Sequence, residues 1–258
     1  MLAGLNGAVL TGGGLTLTPG TPYYETGLQI FEYAKASGGR WPVWGTCQGF
    51  QFLSILLANQ NTSVLTPGWD SEALPLPLTF LPAAEQSSMY ADAPVEVLNI
   101  LQNEAVTPNY HAFGVAADLF ESNAALKANA VLLTKNADRK GKIFGSSLQG
   151  RTWSSVVAVQ FHPERIPFDD FDADSATPHT ASAQLISNYY ARFLVNLSRQ
   201  NMNSLAPAVF DQAVIYNFSP TFTANSSGDS YPDTQTYIFG QLGAYMDGVF
   251  GASAIEHK

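Results

Sequence analysis

The segment Trp44-Gly45-Thr46-Cys47-Gln48-Gly49 limits the possible folds of this chain more than any other stretch. An apolar run from Trp41 to Trp44 predicts a short buried strand, and apolar residues at helical spacing over 50–59 predict a helix. Cys47 therefore lies on a sharp turn between a strand and a helix. This is the nucleophile-elbow arrangement, with Cys in place of Ser.

The neighbours of Cys47 suit a reactive thiol. Gly45 and Gly49 allow a tight turn and a close approach of neighbouring backbones. A helix that begins at Gln48 would favour the thiolate form of Cys47 and would point the Gln48 backbone N–H at a developing oxyanion. A buried structural Cys between strand and helix fits this local pattern equally well.

Strand–loop–helix units recur along the chain. The apolar run 7–11 enters Gly12-Gly13-Gly14, and Thr21-Pro22 opens a helix that ends at Gly38-Gly39. Further strands are predicted at 74–81 (irregular or at an edge), 130–134, 143–147 and 156–161, and further helices at 94–102 and 185–197. Because the early strands are apolar on both faces, we expect an α/β fold with a mostly parallel sheet flanked by helices. No linker divides the chain, which favours a single domain over 1–258.

A second strand tip carries a candidate base. The strand 156–161 ends at His162, and Glu164 follows two residues later, where its carboxylate can reach back to the imidazole. Such a carboxylate would select the tautomer of His162 and stabilise its charged form. A histidine at a strand end is more often structural, but its combination with Cys47 at another strand tip is much more specific.

The loop Gly12-Gly13-Gly14 lies at a third strand end. Glycines there would let the backbone approach a substrate, so Gly13 and Gly14 are candidate oxyanion donors, although an ordinary glycine turn is favoured in isolation. The loop lacks the Lys of a phosphate-binding loop, so nucleotide binding is not expected. Asp170, Asp172 and Asp174 lack the Gly and closing Glu of a calcium loop, and we predict no metal site and no cofactor.

Composition excludes several classes of protein. The net charge of −9 disfavours nucleic acid as a partner, and the single cysteine excludes an intrachain disulfide. No apolar run of about 18 residues predicts a membrane span, and no signal peptide is visible. The Asn-x-Ser/Thr sequons are mild evidence for the secretory route, and the one in the 185–197 helix is a doubtful glycosylation site. They are Asn61, Asn196, Asn217 and Asn225.

The elbow, Phe161-His162-Pro163-Glu164 and the glycine loop resemble the class I glutamine amidotransferase family. Further segments resemble its gamma-glutamyl hydrolase branch over about residues 5–239. They are Pro42-Val43-Trp44-Gly45-Thr46-Cys47, Asn109-Tyr110-His111, His162-Pro163-Glu164-Arg165 and Ile215-Tyr216-Asn217-Phe218-Ser219-Pro220. The resemblance implies a cysteine hydrolase that cleaves the gamma-glutamyl chain of folylpolyglutamates in lysosomes, vacuoles or outside the cell.

The resemblance also implies roles for residues around the elbow. Cys47, His162 and Glu164 would form the catalytic group, and His111 would lie on the substrate side of the cleft, although a structural His111 is an equal alternative. Arg165 could bind a substrate carboxylate or brace its loop. A polyglutamate substrate and this protein are both anionic, so binding requires a locally basic cleft. Its candidate cations are Arg40, Arg151 and Arg165.

Two features depart from the family pattern. Gln51 occupies a position where gamma-glutamyl hydrolases are expected to have an acidic residue, and Gln there is typical of glutamine-using amidotransferases. Members usually have a strand and a helix before the segment that matches 7–11, so this chain is expected to lack that first unit.

These departures leave other functions open. The chain could be a glutaminase subunit that passes ammonia to a synthase, or a truncated, non-catalytic member of the family. The intact Cys47, His162 and Glu164 favour catalysis, and the sequons and the 215–220 segment favour the hydrolase. The sequence leaves the assembly state open, and a homodimer is compatible with it.

Overall fold

The computed structural model describes residues 1–168, 176–221 and Tyr237. The chain divides into two compact units, one of residues 1–170 and 174–204 and one of residues 171–173 and 205–258. A single domain over 1–258 stays a prediction. Within the described part of the second unit, α7 (Pro207–Ala213) precedes a short 3-10 turn, Ile215–Asn217.

Among the described residues, the first unit contains the strands and six of the seven α-helices. The strands are β1 (Ala8–Leu10), β2 (Val43–Thr46), β3 (Leu65–Leu76), β4 (Thr79–Phe80), β5 (Thr107–Val115), β6 (Ala130–Ala137), β7 (Ile143–Gly150) and β8 (Val156–Val159). The helices are α1 (Pro22–Ala36), α2 (Gln48–Leu57), α3 (Val95–Asn103), α4 (Leu119–Ser122), α5 (Ala124–Asn129) and α6 (Ala181–Ser198).

Six of the strands form one mixed sheet in the order β1-β2-β8-β7-β6-β4. β1, β2 and β8 are parallel, whereas β7, β6 and β4 are antiparallel to their neighbours. A short connection joins β6 to β7, and such a connection is possible only between antiparallel strands. The predicted α/β fold with flanking helices is confirmed, but the sheet is mixed and not mostly parallel, because three of its five strand pairings are antiparallel. Its parallel half carries the strand ends that hold Cys47 and His162.

Helices cover both faces of this sheet, as expected for strands that are apolar on both sides. α1 and α2 pack on one face against Val43 and Ala158. α3 and α6 pack on the other face against Trp44, Val157 and Val159. No helix among the described residues has both the length and the apolar character that a membrane crossing requires.

Most of the predicted elements are present, with shifted ends. The predicted strand at 74–81 is divided between the end of β3 and the edge strand β4. β5 was not predicted, and it pairs with β3 in a separate two-stranded antiparallel sheet. This second sheet matters because β5 forms one wall of the cleft above Cys47.

Candidate active site

Cys47 occupies the turn between β2 and α2, as the sequence predicts. Its backbone has φ +48° and ψ −101°, a conformation that side chains with a Cβ rarely adopt. Its N–H donates to the Val159 carbonyl at 2.9 Å, and its own carbonyl accepts the Gln51 N–H at 3.0 Å. The neighbouring strand and helix therefore hold the thiol on a strained turn.

Two glycines make this turn sterically possible. A Cβ on Gly45 would lie 2.6 Å from the Gly49 backbone, and a Cβ on Gly49 would lie 2.1 Å from the Leu10 carbonyl oxygen. No other residue type fits at these crossings, because both neighbours are backbone atoms in a packed core. The tight elbow inferred from Gly45 and Gly49 is thus present.

The His162 imidazole lies beside Cys47 and is almost completely buried. Its Nδ1 lies 2.7 Å from Glu164 Oε1, and its Cε1 and the Cys47 Cβ both lie within 4 Å of the position that a Cβ on Gly12 would take. With Nδ1–H donated to the carboxylate, the other ring nitrogen is directed to the thiol. The backbone N–H of His162 donates to the Pro108 carbonyl at 2.9 Å, which fixes this loop to β5.

The environment of His162 favours its charged form. Burial by itself lowers the pKa of the imidazole, but the hydrogen bonds and charges of Cys47 and Glu164 outweigh burial and raise the pKa to about 9. Near neutral pH the imidazolium can therefore give a proton to a leaving group beside Cys47.

The glycine loop passes directly over this pair. A Cβ on Gly12 would lie 2.7 Å from His162 Cε1, and one on Gly13 would lie 3.0 Å from Gln48 Oε1. The Gln48 side chain accepts the Leu15 N–H at 3.2 Å and donates to the Leu15 carbonyl at 2.6 Å, which fixes the loop. The backbone N–H of Gln48 is at the first position of α2, where the helix itself offers no acceptor.

A cleft of about 430 Å³ opens above Cys47. It is lined by the glycine loop, the start of α2 and residues of β3 and β5: Gly13, Gly14, Leu15, Thr16, Leu17, Cys47, Gln48, Gln51, Leu65, Glu72, Tyr110, His111, Ala112 and Phe113. The predicted site residues Gly13, Gly14, Gln48, Gln51 and His111 thus meet at one cleft.

Gln51 and His111 bind the same backbone oxygen in this cleft. Gln51 Nε2 donates to the Phe113 carbonyl at 2.9 Å, and His111 Nδ1 lies 2.9 Å from the same atom. Burial, and to a smaller extent the charge of His162, lower the pKa of His111 to about 4, so this imidazole is neutral at pH 7. Its Nε2 is buried and has no hydrogen-bond partner in the described part of the chain. A contact between His111 and substrate stays a prediction.

One of the three predicted cations lies near the site. Arg165 Cζ is 3.9 Å from the ring centroid of Tyr110, whose backbone carbonyl accepts the Cys47 thiol at 3.8 Å. Arg40 and Arg151 do not line the cleft, because their guanidinium groups hydrogen-bond backbone carbonyls elsewhere. The expectation that they make the cleft basic is wrong, and Glu72 is the charged side chain among the lining residues.

Tyr110, Glu72 and Phe113 were not predicted as cleft residues. The segment 107–115 contains Pro, Asn and Gly, which are depleted in strands, and its burial does not alternate. A resemblance had marked Asn109-Tyr110-His111 as a motif, but strand patterns alone do not reveal that it forms a wall of the site.

Other predicted features lie away from the cleft or outside the described residues. Asp170, Asp172, Asp174 and Asn225 are outside the described part. Asn61 and Asn217 are exposed, and Asn196 is on α6, as its helical pattern indicates. Within the described ranges, no group of three or more His, Cys, Asp or Glu residues could hold a metal ion.

Known proteins resemble this chain in sequence over most of its length. The family described as glutamine amidotransferase class-I matches residues 4–170. The gamma-glutamyl hydrolase of Mus musculus is 36% identical over 239 residues, which cover 91% of this chain and 72% of that protein. Gamma-glutamyl hydrolase B of Dictyostelium discoideum is 30% identical, and the match covers 91% of this chain and 67% of that protein. Among solved structures, the glutaminase domain of Trypanosoma brucei CTPS is 16% identical and has a TM-score of 0.44. That match covers 71% of this chain and 73% of the other.

Proposed function

We propose that this chain, which belongs to the class I glutamine amidotransferase family and is a homologue of gamma-glutamyl hydrolases, cleaves gamma-glutamyl amide bonds through a thioester on Cys47. One observation supports this most strongly. Cys47 lies on a strained strand–helix turn, and His162 lies beside it with Nδ1 2.7 Å from the Glu164 carboxylate. This is the nucleophile, base and orienting carboxylate that acyl transfer requires.

In the first half of the reaction, the Cys47 thiolate attacks the gamma-carbonyl carbon and an oxyanion develops. The backbone N–H of Gln48, which lacks a helical acceptor, would donate to that oxyanion together with N–H groups of Gly13 and Gly14. His162, as the imidazolium, then protonates the leaving amine, the carbon–nitrogen bond breaks, and a gamma-glutamyl thioester remains on Cys47.

In the second half, a water molecule replaces the amine. Neutral His162 takes a proton from this water while the oxygen attacks the thioester carbonyl. The carbon–sulfur bond breaks, the gamma-carboxylic acid is released, and Cys47 returns to its thiolate. Glu164 keeps the imidazole in one tautomer through both halves. The proposed chemistry uses no metal and no cofactor.

The proposed substrates are folylpoly-gamma-glutamates. The relatives are named gamma-glutamyl hydrolases, which supports the gamma-glutamyl bond as the target, and the folyl group is what the family resemblance implies. Arg165 contacts Tyr110, whose carbonyl accepts the Cys47 thiol, and a guanidinium can bind a carboxylate with two parallel hydrogen bonds. We also propose that the protein acts in the secretory route, in a lysosome or vacuole or outside the cell, on the basis of its exposed sequons.

A glutaminase is the second candidate function, and Gln51 is the observation that favours it. Its side chain lines the cleft close to Cys47, at a position where an acidic residue was expected. The same thiol chemistry acting on free glutamine would release ammonia in place of an amino acid.

The test compares the protein with its Cys47→Ser variant. Each is incubated with a pteroyl-penta-gamma-glutamate and, separately, with glutamine, while shortened pteroyl products and ammonia are measured. We expect shortened products from the parent protein alone. Release of ammonia from glutamine without cleavage of the pteroyl substrate would support the glutaminase and contradict the hydrolase. A folded protein that acts on neither substrate would contradict both proposals.

A further inference from the structure

Tyr110 contacts each charged or reactive side chain of the proposed machinery except Glu164. Its backbone carbonyl accepts the Cys47 thiol at 3.8 Å. Its ring meets the His162 ring in an edge-to-face arrangement, with centroids 6.1 Å apart and planes at 78°. Arg165 lies over the same ring at 3.9 Å. Tyr110 thus lies between the general base and the loop that follows it.

The Tyr110 ring is itself held at two points. Its hydroxyl is hydrogen-bonded to Thr177 Oγ1 at 2.8 Å, and Thr177 is 5% exposed. Two residues before the tyrosine, the Pro108 carbonyl accepts the backbone N–H of His162. A large movement of the ring would therefore break this part-buried hydrogen bond or displace strand β5.

A fixed ring beside His162 has a mechanical consequence. Rotation of the imidazole about its Cβ–Cγ bond would turn one nitrogen from Cys47 and the other from Glu164. The Glu164 side chain is 53% exposed, so solvent competes for this carboxylate and it fixes the ring incompletely. A packed aromatic edge blocks the rotation sterically and is not weakened by water.

We propose that Tyr110 is a positioning residue, whose ring, held by Thr177, keeps the His162 imidazole aligned with both Cys47 and Glu164. The inference deepens the proposed function and rests on the same thiol–imidazole pair. It assigns Tyr110 no contact with substrate.

The alignment can be measured without substrate. The His162 imidazole is titrated by NMR, and alkylation of Cys47 by iodoacetamide is followed from pH 5 to 10, since Cys47 is the single cysteine. In Tyr110→Leu, the pKa of His162 should fall from about 9 toward its ordinary value near 6.5, because its contacts with Cys47 and Glu164 loosen. Alkylation at pH 7 should slow by about tenfold.

Conservative variants separate the ring from its hydroxyl. Tyr110→Phe keeps the ring and Thr177→Val removes the hydroxyl's partner, so both should lower the His162 pKa by a similar, smaller amount. Because both break the same hydrogen bond, the double variant should shift the pKa no further than either single variant. Tyr33→Leu is the matched control, since Tyr33 is a half-buried tyrosine in edge-to-face contact with Trp41 on α1's side of the sheet.

A folded Tyr110→Leu protein with the parent titration of His162 would overturn the inference. If that variant does not fold, unchanged titrations in both Tyr110→Phe and Thr177→Val would overturn it as well. A different result would contradict the proposed function. The parent protein would show the expected His162 titration and Cys47 alkylation but would release no product from a gamma-glutamyl substrate.

Discussion

The two histidines of the site have opposite preferences for charge, and the cause lies in their immediate neighbours. His162 has Cys47 and Glu164 beside it, which raise its pKa to about 9 although burial opposes this. His111 is bonded to a neutral carbonyl, and burial lowers its pKa to about 4. One imidazole is therefore prepared to donate a proton, while the other can accept a hydrogen bond without charge.

These shifts predict how the free energy of unfolding depends on pH. His162 binds its proton more tightly when folded, so its contribution is complete below pH 6.5 and is lost as pH rises to about 9. His111 binds its proton less tightly when folded, so its contribution is complete above pH 6.5 and is lost as pH falls to about 4. Each contribution is on the order of 3 kcal/mol.

Urea unfolding of the parent, His111→Gln and His162→Gln from pH 4 to 10 tests this. The stability difference between the parent and His162→Gln should change between pH 6.5 and 9, and that between the parent and His111→Gln between pH 4 and 6.5. Flat difference curves in these intervals would show that the two environments are not as described.

Gly12 yields a second prediction at the residue scale. In Gly12→Ala the new methyl group would lie 2.7 Å from His162 Cε1, so the imidazole must shift away from its position beside Cys47. A misplacement of this size is expected to lower turnover by about 10- to 100-fold, with little change in thermal stability. Gly14→Ala is the comparison, because no atom lies within 4 Å of its Cβ position and Ala keeps the backbone N–H that is proposed to bind the oxyanion. Equal activities of the two variants would disprove the close approach.

Residue patterns revealed the chemistry of the site better than its walls. Cys47 and His162 were predictable because each follows an apolar strand, and strand ends of a parallel sheet meet at one edge. The position of Tyr110 was not predictable, because its contacts depend on how β5 packs against the sheet. No local sequence pattern records such long-range packing.

At the scale of elements, the site depends on how closely α2 crosses β1 and β2. Helix and strand backbones are in contact at Gly49. That contact brings the helix start, where the Gln48 N–H has no acceptor within the helix, under the glycine loop. The position of the elbow therefore depends on packing between elements as much as on the turn itself.

Gly49→Ala should separate the two elements. Its Cβ would lie 2.1 Å from the Leu10 carbonyl oxygen, a backbone atom that cannot move alone. We expect a loss of about 3 kcal/mol or more in the free energy of unfolding, measured by urea denaturation, because overpacking a core forces backbone shifts. Gly14→Ala again provides the comparison. A Gly49→Ala protein as stable as Gly14→Ala would contradict the close crossing.

Helices and strands whose apolar residues recur at regular spacing were predictable from the sequence, and those without such a pattern were not. α6 and β8 have apolar residues at regular spacing or in an unbroken run, whereas β3 has irregular register at Pro67/Ser71 and Ser71/Leu74. Such bulges re-aim side chains and interrupt the two-residue period that sequence analysis depends on.

At the scale of the whole molecule, charge opposes the proposed substrate. The protein has a net charge of −9, and each unit of a polyglutamate tail adds a carboxylate. Within the described lining of the cleft, the charged side chain is Glu72, and the nearby cation is Arg165. Long-range repulsion should therefore slow the approach of long tails.

Salt dependence tests this repulsion. Raising the ionic strength from about 0.01 M to about 1 M shortens the screening length from about 30 Å to about 3 Å. The kcat/KM for a penta-gamma-glutamyl substrate should rise by about tenfold, and that for a neutral gamma-glutamyl amide should stay nearly constant. A fall in kcat/KM for the long substrate would instead indicate a basic binding surface beyond the cleft described.

The overall architecture was predictable because apolar strands on both faces require helices on both sides of a sheet. The antiparallel half of the sheet was not, since β6 and β7 carry the same apolar signal in either direction. The three strands whose ends hold the site are parallel. The prediction that Cys47 and His162 lie close together therefore did not depend on the direction of the other three strands.

The proposed thioester on Cys47 is best tested by measuring the intact mass of the protein during turnover. The parent is mixed with a pteroyl-poly-gamma-glutamate, quenched in acid after milliseconds to seconds, and analysed by mass spectrometry with Cys47→Ser alongside. We expect a transient acyl adduct on the Cys47 peptide that hydroxylamine removes and that the variant does not form. Product release by Cys47→Ser at the parent rate, with no adduct on either protein, would contradict it.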